Sequence, residues 1–215
     1  MWPSGPLISF YYLSTMQEII DQLLKTTWIE VVAMVTGLLF PIFAAAEKKI
    51  CWLFGGISSI AYSYLLFDGR LYQDAILSVF YVGMSVYGYL MWTGVIKSKK
   101  EDVKISRVHP LTFFVCLVIG SQYFFVGGYC FDHFTDSDYP YVDAFITGFS
   151  LVATWLDAKK KMENWYIFLV ADGVGVWLFW QKGYALTAVL YIIYCILCIY
   201  GIFKWRSKIK LSRLP

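Results

Sequence analysis

Four carboxylates lie in or beside apolar stretches of this sequence, where a charged group is costly. They are Glu30, Asp74, Asp143 and Asp172. An ionisable side chain within a membrane segment usually faces a cavity or the interior of a helix bundle. Glu30 and Asp143 lie near the ends of their stretches, where a purely interfacial position is an equal alternative. Asp172 lies near the middle of its stretch and is therefore the strongest functional candidate.

Helical spacing places three further side chains on the same face as Asp172. Asn164 and Phe168 precede it at intervals of four residues, and Trp165 lies seven residues before it. Residues at these intervals share one face of an α-helix. We therefore predict that an amide, two aromatic rings and a carboxylate from one helix contact a common substrate.

Polar stripes in other apolar stretches extend this predicted site. Asp74 and Tyr81 lie seven residues apart, Tyr191 and Tyr194 lie three apart, and Gln122 adds an amide from another stretch. Unsatisfied polar groups in hydrocarbon cost several kcal/mol, so a lipid-facing position does not suit them. Substrate binding is one role for the stripes, and hydrogen bonding between helices is the alternative.

The chemistry of these candidates points to a ring-bearing solute. The apolar stretches offer aromatic faces, hydroxyls, amides and a few carboxylates, but they contain no Lys or Arg. A flat ring can stack on Trp or Tyr, and a cationic ring gains further from the aromatic quadrupole. Ribose hydroxyls suit carboxylate, amide and phenol partners. An uncharged or cationic ring with a sugar therefore fits better than a nucleotide with its phosphate.

The elements that carry these residues are apolar enough to be membrane helices. Hydrophobic residues make up 59% of the 215 residues and charged residues only 15%, against about 45–50% and about 25% in soluble domains. A spanning helix needs about 20 mostly apolar residues. Seven stretches meet this need. They are 28–46, 50–67, 71–92, 110–130, 141–156, 165–180 and 184–203. We predict an all-α integral membrane protein with seven transmembrane helices.

The distribution of basic residues predicts the orientation. Of 18 Lys and Arg residues, 15 fall on the side of the C-terminus, and only Lys25, Arg70 and Lys182 fall on the other side. Because cytoplasmic loops carry the excess of Lys and Arg, we expect the C-terminus to be cytoplasmic and the N-terminus external. The basic residues flank membrane segments and do not line a groove, so the lipid bilayer is an expected partner and nucleic acid is not.

The sequence contains an internal repeat, in which positions 28–92 align with positions 141–205 without a gap. Trp52 aligns with Trp165 and Trp92 with Trp205, and 11 of 65 positions are identical. Compositional coincidence in a Trp- and Tyr-rich chain is the alternative explanation. Because one extra span lies between the two triplets, both have the same orientation. Parallel repeats of this kind are related by an axis along the membrane normal, with the substrate site between them.

These observations divide the chain into five predicted parts. Residues 1–26 form an N-terminal segment with an interfacial amphipathic helix, and residues 206–215 form a basic cytoplasmic tail. Residues 27–93 and 141–205 are the two three-helix repeats. Residues 94–140 comprise a basic loop, a linker transmembrane helix and an external loop.

The same residues resemble the PnuC family of bacterial vitamin transporters. One departure is Phe168, which stands where the family usually has Trp. The position stays aromatic, so stacking survives while substrate preference could shift. The resemblance covers about residues 28–205, and its motifs combine order and spacing. They are Trp28 and Glu30; Leu71 to Ala75; Tyr87–Gly88 to Trp92; Glu163–Asn164–Trp165 with Phe168 and Asp172; Lys182–Gly183–Tyr184; Leu186 to Tyr191; and Gly201 to Trp205.

The resemblance implies a fold similar to that of the SWEET sugar transporters, with a three-plus-one-plus-three arrangement. It implies a transporter of the bacterial inner membrane whose usual substrate is nicotinamide riboside. Transport would occur by facilitated diffusion, and cytoplasmic phosphorylation would trap the substrate. Family members also carry thiamine or riboflavin and can assemble as homo-oligomers, in particular trimers.

Two other classes of function are weighed against transport. An intramembrane enzyme needs an acid–base or nucleophile constellation, but the only histidines, His109 and His133, fall in loops on opposite sides. A membrane scaffold or sensor predicts no saturable ligand. The sequence contains no nucleotide-binding domain and no metal-ligand spacing, so we expect a transporter without a cofactor.

Overall fold

The structure, a computed structural model, describes residues 26–68, 72–96, 104–134 and 138–211. These ranges form seven α-helices, which confirms the predicted all-α fold of seven helices. The predicted interfacial helix within residues 1–26 lies outside the described residues. The helices are α1 Trp28–Ala45, α2 Cys51–Asp68, α3 Tyr72–Thr93, α4 Pro110–Phe134, α5 Pro140–Ala158, α6 Glu163–Gln181 and α7 Ala185–Leu211.

Helix ends agree with the predicted apolar stretches except in α4 and α7. Helix α4 continues to Phe134, and α7 continues to Leu211, beyond the apolar stretch that ends at 203. Lys and Arg are good helix formers, so the basic residues after Phe203 extend α7 without a break. The predicted boundary at 206 therefore falls inside a helix.

The outer surface of the bundle is apolar. Among the described helices, α1, α4 and α7 are long and apolar enough to cross a membrane by length and composition alone. Their exposed side chains include Phe114 and Phe125 on α4 and Ile196 on α7. Large exposed apolar surfaces of this kind mark contact with lipid or with another protein.

Six of the helices form a closed ring. Helix α1 contacts α2, α2 contacts α3, α3 contacts α5, α5 contacts α6, α6 contacts α7, and α7 returns to α1. Helix α4 lies outside this ring and packs against α5. Side chains that point inward from the six ring helices therefore face a common interior.

Local interactions explain two of the four carboxylates noted in the sequence. Thr27 and Glu30 form a capping box at the start of α1, in which Glu30 Oε2 accepts from the Thr27 backbone N–H at 2.5 Å. Such a box satisfies backbone donors that have no partner within the helix. Asp143, in the first turn of α5, accepts from Lys182 Nζ at 2.9 Å and 3.1 Å. This ion pair joins the start of α5 to the end of α6.

One end of the bundle, here called the basic end, is formed by the α1–α2 turn, the α5–α6 turn and the last turns of α7. The segment before α4 crosses this end, where Ser106 forms a parallel bridge with Lys161. Lys161 Nζ donates to Ser106 Oγ at 2.9 Å, and the Val108 N–H donates to Glu163 Oε2 at 2.8 Å. These bonds fix the segment to the start of α6.

Contacts in the structure recur at positions that the repeat alignment pairs, here called equivalent positions. Trp52 packs on Gly88, and the equivalent Trp165 packs on the equivalent Gly201. A Cβ at Gly201 would lie 2.5 Å from the Trp165 ring, so no larger residue fits without movement. Edge-to-face tryptophan pairs follow in both triplets. Ring centroids of Trp52 and Trp92 lie 5.8 Å apart, and those of Trp165 and Trp205 lie 5.5 Å apart.

The two tight turns at the basic end match in the same way. Glu47 in the α1–α2 turn has φ 57°, and Lys160 in the α5–α6 turn has φ 51°. Residues other than glycine adopt this left-handed region uncommonly. Glu47 and Lys160 are equivalent positions, so the two repeats share an unusual backbone conformation at the same place.

Candidate functional site

Asp172 lies at the centre of the ring interior. It is 8% exposed on α6, and the Cys198 thiol of α7 donates to its Oδ2 at 3.5 Å. The carboxylate is close enough to interact electrostatically with Tyr81, Tyr191 and Tyr194. The structure therefore brings four of the predicted site residues together.

Tyrosines from three helices lie near this carboxylate or, in the case of Tyr62, near Tyr191 and Tyr194. We call Tyr62, Tyr81, Tyr191 and Tyr194, on α2, α3 and α7, the tyrosine cluster. The rings of Tyr191 and Tyr194 lie 5.9 Å apart at 81°. These two residues are one helical turn apart, which is why both reach the same interior. Together with Asp172 they provide aromatic faces, hydroxyls and one carboxylate.

Small residues on α1, α5 and α6 make room for the cluster. The Tyr191 ring lies against Gly175 of α6. A Cβ at Gly37 of α1 would lie 3.0 Å from the Tyr194 hydroxyl oxygen, and Ser150 of α5 lies close to Tyr81. Gly37 and Ser150 are equivalent positions, as are Tyr81 and Tyr194. All six ring helices thus contribute to the site.

Asn164 and Trp165 lie in a different region from Asp172, although they share its helix face. Eight residues of helix separate Asn164 from Asp172, which is about 12 Å along the axis. Asn164 is fully buried at the basic end, and its Nδ2 donates to Asp157 Oδ1 at 2.6 Å. Trp165 lies between Gly201 and Trp205. The partly buried Phe168 packs against the buried residues around Trp165 and against a second buried group that contains Val152 and Ile167.

Gln122 lies apart from the tyrosine cluster, and the structure does not describe the side chain of Asp74. Gln122 is exposed on α4, outside the ring. Asp74 is in the first turn of α3, and its side chain falls outside the described part of the structure. The residue after Gln122, Tyr123, is the one that interacts with Tyr81.

Sequence reasoning missed Tyr62 and Tyr123. Tyr62 lies four residues after Ser58 in an apolar stretch, and this spacing is the signal that would have placed both on one helix face. Ser58 Oγ donates to the Ala33 carbonyl of α1 at 2.8 Å. For Tyr123 we find no comparable signal, because its neighbours give no polar stripe.

Four tryptophans close the basic end of the ring. We call Trp52, Trp92, Trp165 and Trp205 the tryptophan cluster, and each is less than one tenth exposed. The Trp92 indole N–H donates to the Ala158 carbonyl at 3.1 Å, a bond between the two triplets. The four rings are packed tightly against one another and against Gly88 and Gly201.

Charged residues reinforce this closure. Lys160 Nζ lies 3.4 Å from Glu47 Oε2 and 4.5 Å from the centroid of the Trp92 ring. Lys208 Nζ also pairs with Glu47. Because Glu47 and Trp92 belong to the first triplet and the two lysines to the second, these contacts hold the triplets together at the basic end.

The chemistry of the site suits binding. In the described ranges, no group of three His, Cys, Asp or Glu side chains could hold a metal ion. The carboxylate can compensate the charge of a cationic ring and accept hydrogen bonds from hydroxyls, and the tyrosine rings can stack on the cationic ring.

Comparisons with known proteins agree with this architecture. A family model described as nicotinamide mononucleotide transporter matches residues 27–207. The nicotinamide riboside transporter PnuC of Escherichia coli (strain K12) is 26% identical over 209 residues, with 86% of this chain and 87% of the relative covered. The riboflavin/roseoflavin transporter RibM of Streptomyces davaonensis is 33% identical over 76 residues, which cover 35% of this chain and 36% of RibM.

A solved structure shares the fold. The crystal structure of the vitamin B3 transporter PnuC superposes with a TM-score of 0.69 and 22% identity, covering 97% of this chain and 94% of that one. The family model spans most of the chain, and the helical architecture agrees with the solved fold. The chain therefore belongs to the nicotinamide mononucleotide transporter family, the family of the PnuC proteins.

Proposed function

We propose that this protein carries nicotinamide riboside across the bacterial inner membrane through the six-helix ring. The observation that supports this most is the single carboxylate of Asp172 among the rings and hydroxyls of the tyrosine cluster. Nicotinamide riboside is a pyridinium cation joined to ribose. A buried carboxylate offsets the ring charge, and tyrosine faces and hydroxyls suit the ring and the sugar.

The absence of basic residues from the apolar stretches supports a nucleoside over a nucleotide. The family description names the mononucleotide, whereas the full-length relative is named for the riboside. A phosphate would add negative charge beside Asp172, and the stretches contain no Lys or Arg to compensate it. Like charges brought together at low dielectric repel strongly.

The contact residues of the proposed site follow from their placement. Asp172, Tyr81, Tyr191 and Tyr194 contact the substrate directly in this proposal, and Phe168 lines the site towards the basic end. Asn164 and Trp165 form its floor there and are reached when the basic end opens. The predicted contacts of Gln122 and Asp74 stay predictions.

We further propose the three-plus-one-plus-three arrangement with parallel repeats. The matched tryptophan–glycine contacts and the matched left-handed turns support it. The six-helix ring supports it too. The repeat alignment makes α1 equivalent to α5 and α3 equivalent to α7, so the contact between α1 and α7 is matched by the contact between α5 and α3. Rocking of the two triplets at these interfaces would open the ring at either end in turn.

In this proposal the basic end is cytoplasmic, the N-terminus is external, and transport is facilitated diffusion. Cytoplasmic phosphorylation then traps the substrate. Excess Lys and Arg on the side of the C-terminus supports this orientation. Assembly as a homotrimer, which the family resemblance implies, also stays a prediction.

Equilibration of radiolabelled nicotinamide riboside into proteoliposomes tests the function. We expect saturable exchange that excess unlabelled riboside abolishes and that the mononucleotide leaves largely intact. Empty liposomes and the D172N variant are the controls. Failure of the wild-type protein to exchange the riboside would contradict the proposal.

Riboflavin is the second candidate, because RibM aligns with part of this chain. Its uncharged, larger ring does not require a carboxylate. The same assay separates the two, since preferential exchange of riboflavin that D172N leaves unchanged would replace the riboside as the substrate.

A further inference from the structure

A buried pair of polar side chains lies at the basic end, away from the tyrosine cluster. Asp157 ends α5 and is 2% exposed, and Asn164 begins α6 and is completely buried. Asn164 Nδ2 donates to Asp157 Oδ1 at 2.6 Å. This bond ties the two helices together beside the tryptophan cluster.

One oxygen of each side chain is left without a donor. Asp157 Oδ2 and Asn164 Oδ1 are both buried and have no hydrogen-bond partner within the described part of the protein. A buried acceptor without a partner loses its bonds to water and gains nothing in return. Each of these two oxygens therefore needs a donor.

The charged and titratable groups around Asp157 do not supply that donor. Cys51 of α2, Cys198 of α7 and Lys160 of the α5–α6 turn are near enough to interact with it electrostatically. Lys160 Nζ is already engaged by Glu47 and by the Trp92 ring. Glu47 in turn also pairs with Lys208, whose side chain is 43% exposed and thus partly hydrated.

A single proton would satisfy both oxygens. In a carboxylic acid–amide ring, the acid O–H donates to the amide oxygen while the amide N–H donates to the other acid oxygen. Half of this ring, the N–H donation, is present in the structure. The two unpartnered oxygens are the two atoms that the other half would join.

We propose that Asp157 binds a proton and pairs with Asn164 as an acid–amide ring that stabilises the closed basic end. When the basic end opens, water reaches the pair, the O–H bond breaks, and the proton passes to water on that side. The proton site itself does not depend on the identity of the solute; only its link to opening rests on the proposed transport function.

Infrared spectroscopy of the full-length protein in lipid nanodiscs tests the proton site directly. We expect a carboxylic acid C=O band at neutral pH that D157N removes. The band of Asp157 must persist in D172N, which removes the other carboxyl that is buried among the described side chains and is the matched control. Absence of any acid band assignable to Asp157 overturns the proposal, and this includes the case in which only a bound water bridges the two oxygens.

Thermal unfolding provides a second measurement. Asparagine at 157 can donate to Asn164 Oδ1 and accept from Asn164 Nδ2, so D157N should keep the melting temperature at acidic pH and lose the fall that wild type shows as pH rises. The contrary result is a wild-type melting temperature that does not change with pH together with a D157N melting temperature that is lower at every pH. It would show that Asp157 is a charged carboxylate and would contradict the proposal. If D157N does not fold, the acid band of wild type and D172N decides.

Transport separates this inference from the proposed function. Nicotinamide riboside carries a permanent ring charge, so a pH effect must come from the protein. Raising pH on the basic side should speed wild-type exchange several-fold and leave D157N unchanged. A wild-type rate indifferent to that pH overturns the link to opening. Failure of exchange at every pH contradicts the proposed function while the infrared result still decides the proton site.

Discussion

The tyrosine cluster and the tryptophan cluster differ in how far their equivalent positions carry the same residues and contacts. At the tryptophan cluster the repeat is kept, because Trp52 and Trp165 pack on equivalent glycines and both pair edge to face with a second tryptophan. At the tyrosine cluster it is kept only in part, since Tyr81 and Tyr194 are equivalent but other members are not. Asp172 is equivalent to Ser59, and Tyr191 is equivalent to Ser78. In the proposed transport cycle, the symmetric positions belong to the frame that moves, and the asymmetric positions belong to the site proposed for an asymmetric solute.

The largest effect on this comparison should come from Asp172→Asn. Loss of the charge-assisted contacts of a buried carboxylate costs about 1.5–3 kcal/mol, so affinity for nicotinamide riboside should fall about tenfold to a hundredfold. Calorimetry on purified protein measures it. Ser59→Ala, at the equivalent position of the first triplet, is the control and should leave affinity nearly unchanged. Equal loss in both variants would mean that the site is symmetric.

The next effect should come from Gly201→Ala, which attacks the frame and spares the site. The added methyl would meet the Trp165 ring at 2.5 Å, and overpacking costs about 1–3 kcal/mol. Thermal unfolding should show the loss. In Gly173→Ala the methyl has no neighbour within 4 Å, so this control on α6 should keep its stability. Identical melting temperatures for the two variants would contradict the packing at the tryptophan cluster.

A smaller effect should follow Glu47→Gln, which weakens the contacts between the triplets at the basic end. Partly exposed ion pairs contribute about 0.2–1 kcal/mol, so opening should become up to about fivefold easier. Labelling of a cysteine introduced beneath the tryptophan cluster reports the opening. Asp143→Asn breaks an ion pair within one triplet and is the control. Faster labelling in the control alone would refute the role of Glu47.

The smallest effect should come from Gln122→Ala. Gln122 is exposed on α4 outside the ring, and exposed substitutions of this kind change free energies by about 0.5 kcal/mol or less. We expect less than about a twofold change in riboside affinity, measured by calorimetry beside wild type. A larger loss would restore the contact that the sequence predicts and would place Gln122 in the binding site.

Much of the fold was predictable because each helix coincides with an apolar stretch that charged residues bound. The placement of Asp172 in the interior followed from the cost of burying a carboxylate, and the structure places it there. The capping role of Glu30 was not predicted, although Thr27 three residues earlier is the sequence signature of a capping box.

The depth of each residue along the ring was not predictable. Helical spacing puts Asn164, Trp165 and Asp172 on one helix face. It does not indicate that Asn164 and Trp165 lie at the packed basic end. That outcome depends on tertiary partners, namely Asp157 and Trp205. Tyr123 comes near Tyr81 for the same reason, through a contact between α4 and the ring that no local pattern encodes.

The location of bound nicotinamide riboside in a structure of the full-length protein tests the account most directly. We predict density for the riboside inside the six-helix ring at the level of Asp172, with its ring against the tyrosine cluster and the tryptophan cluster unoccupied. Density on the outer face of α4, or a riboside without contact to Asp172 and the tyrosines, would contradict the account.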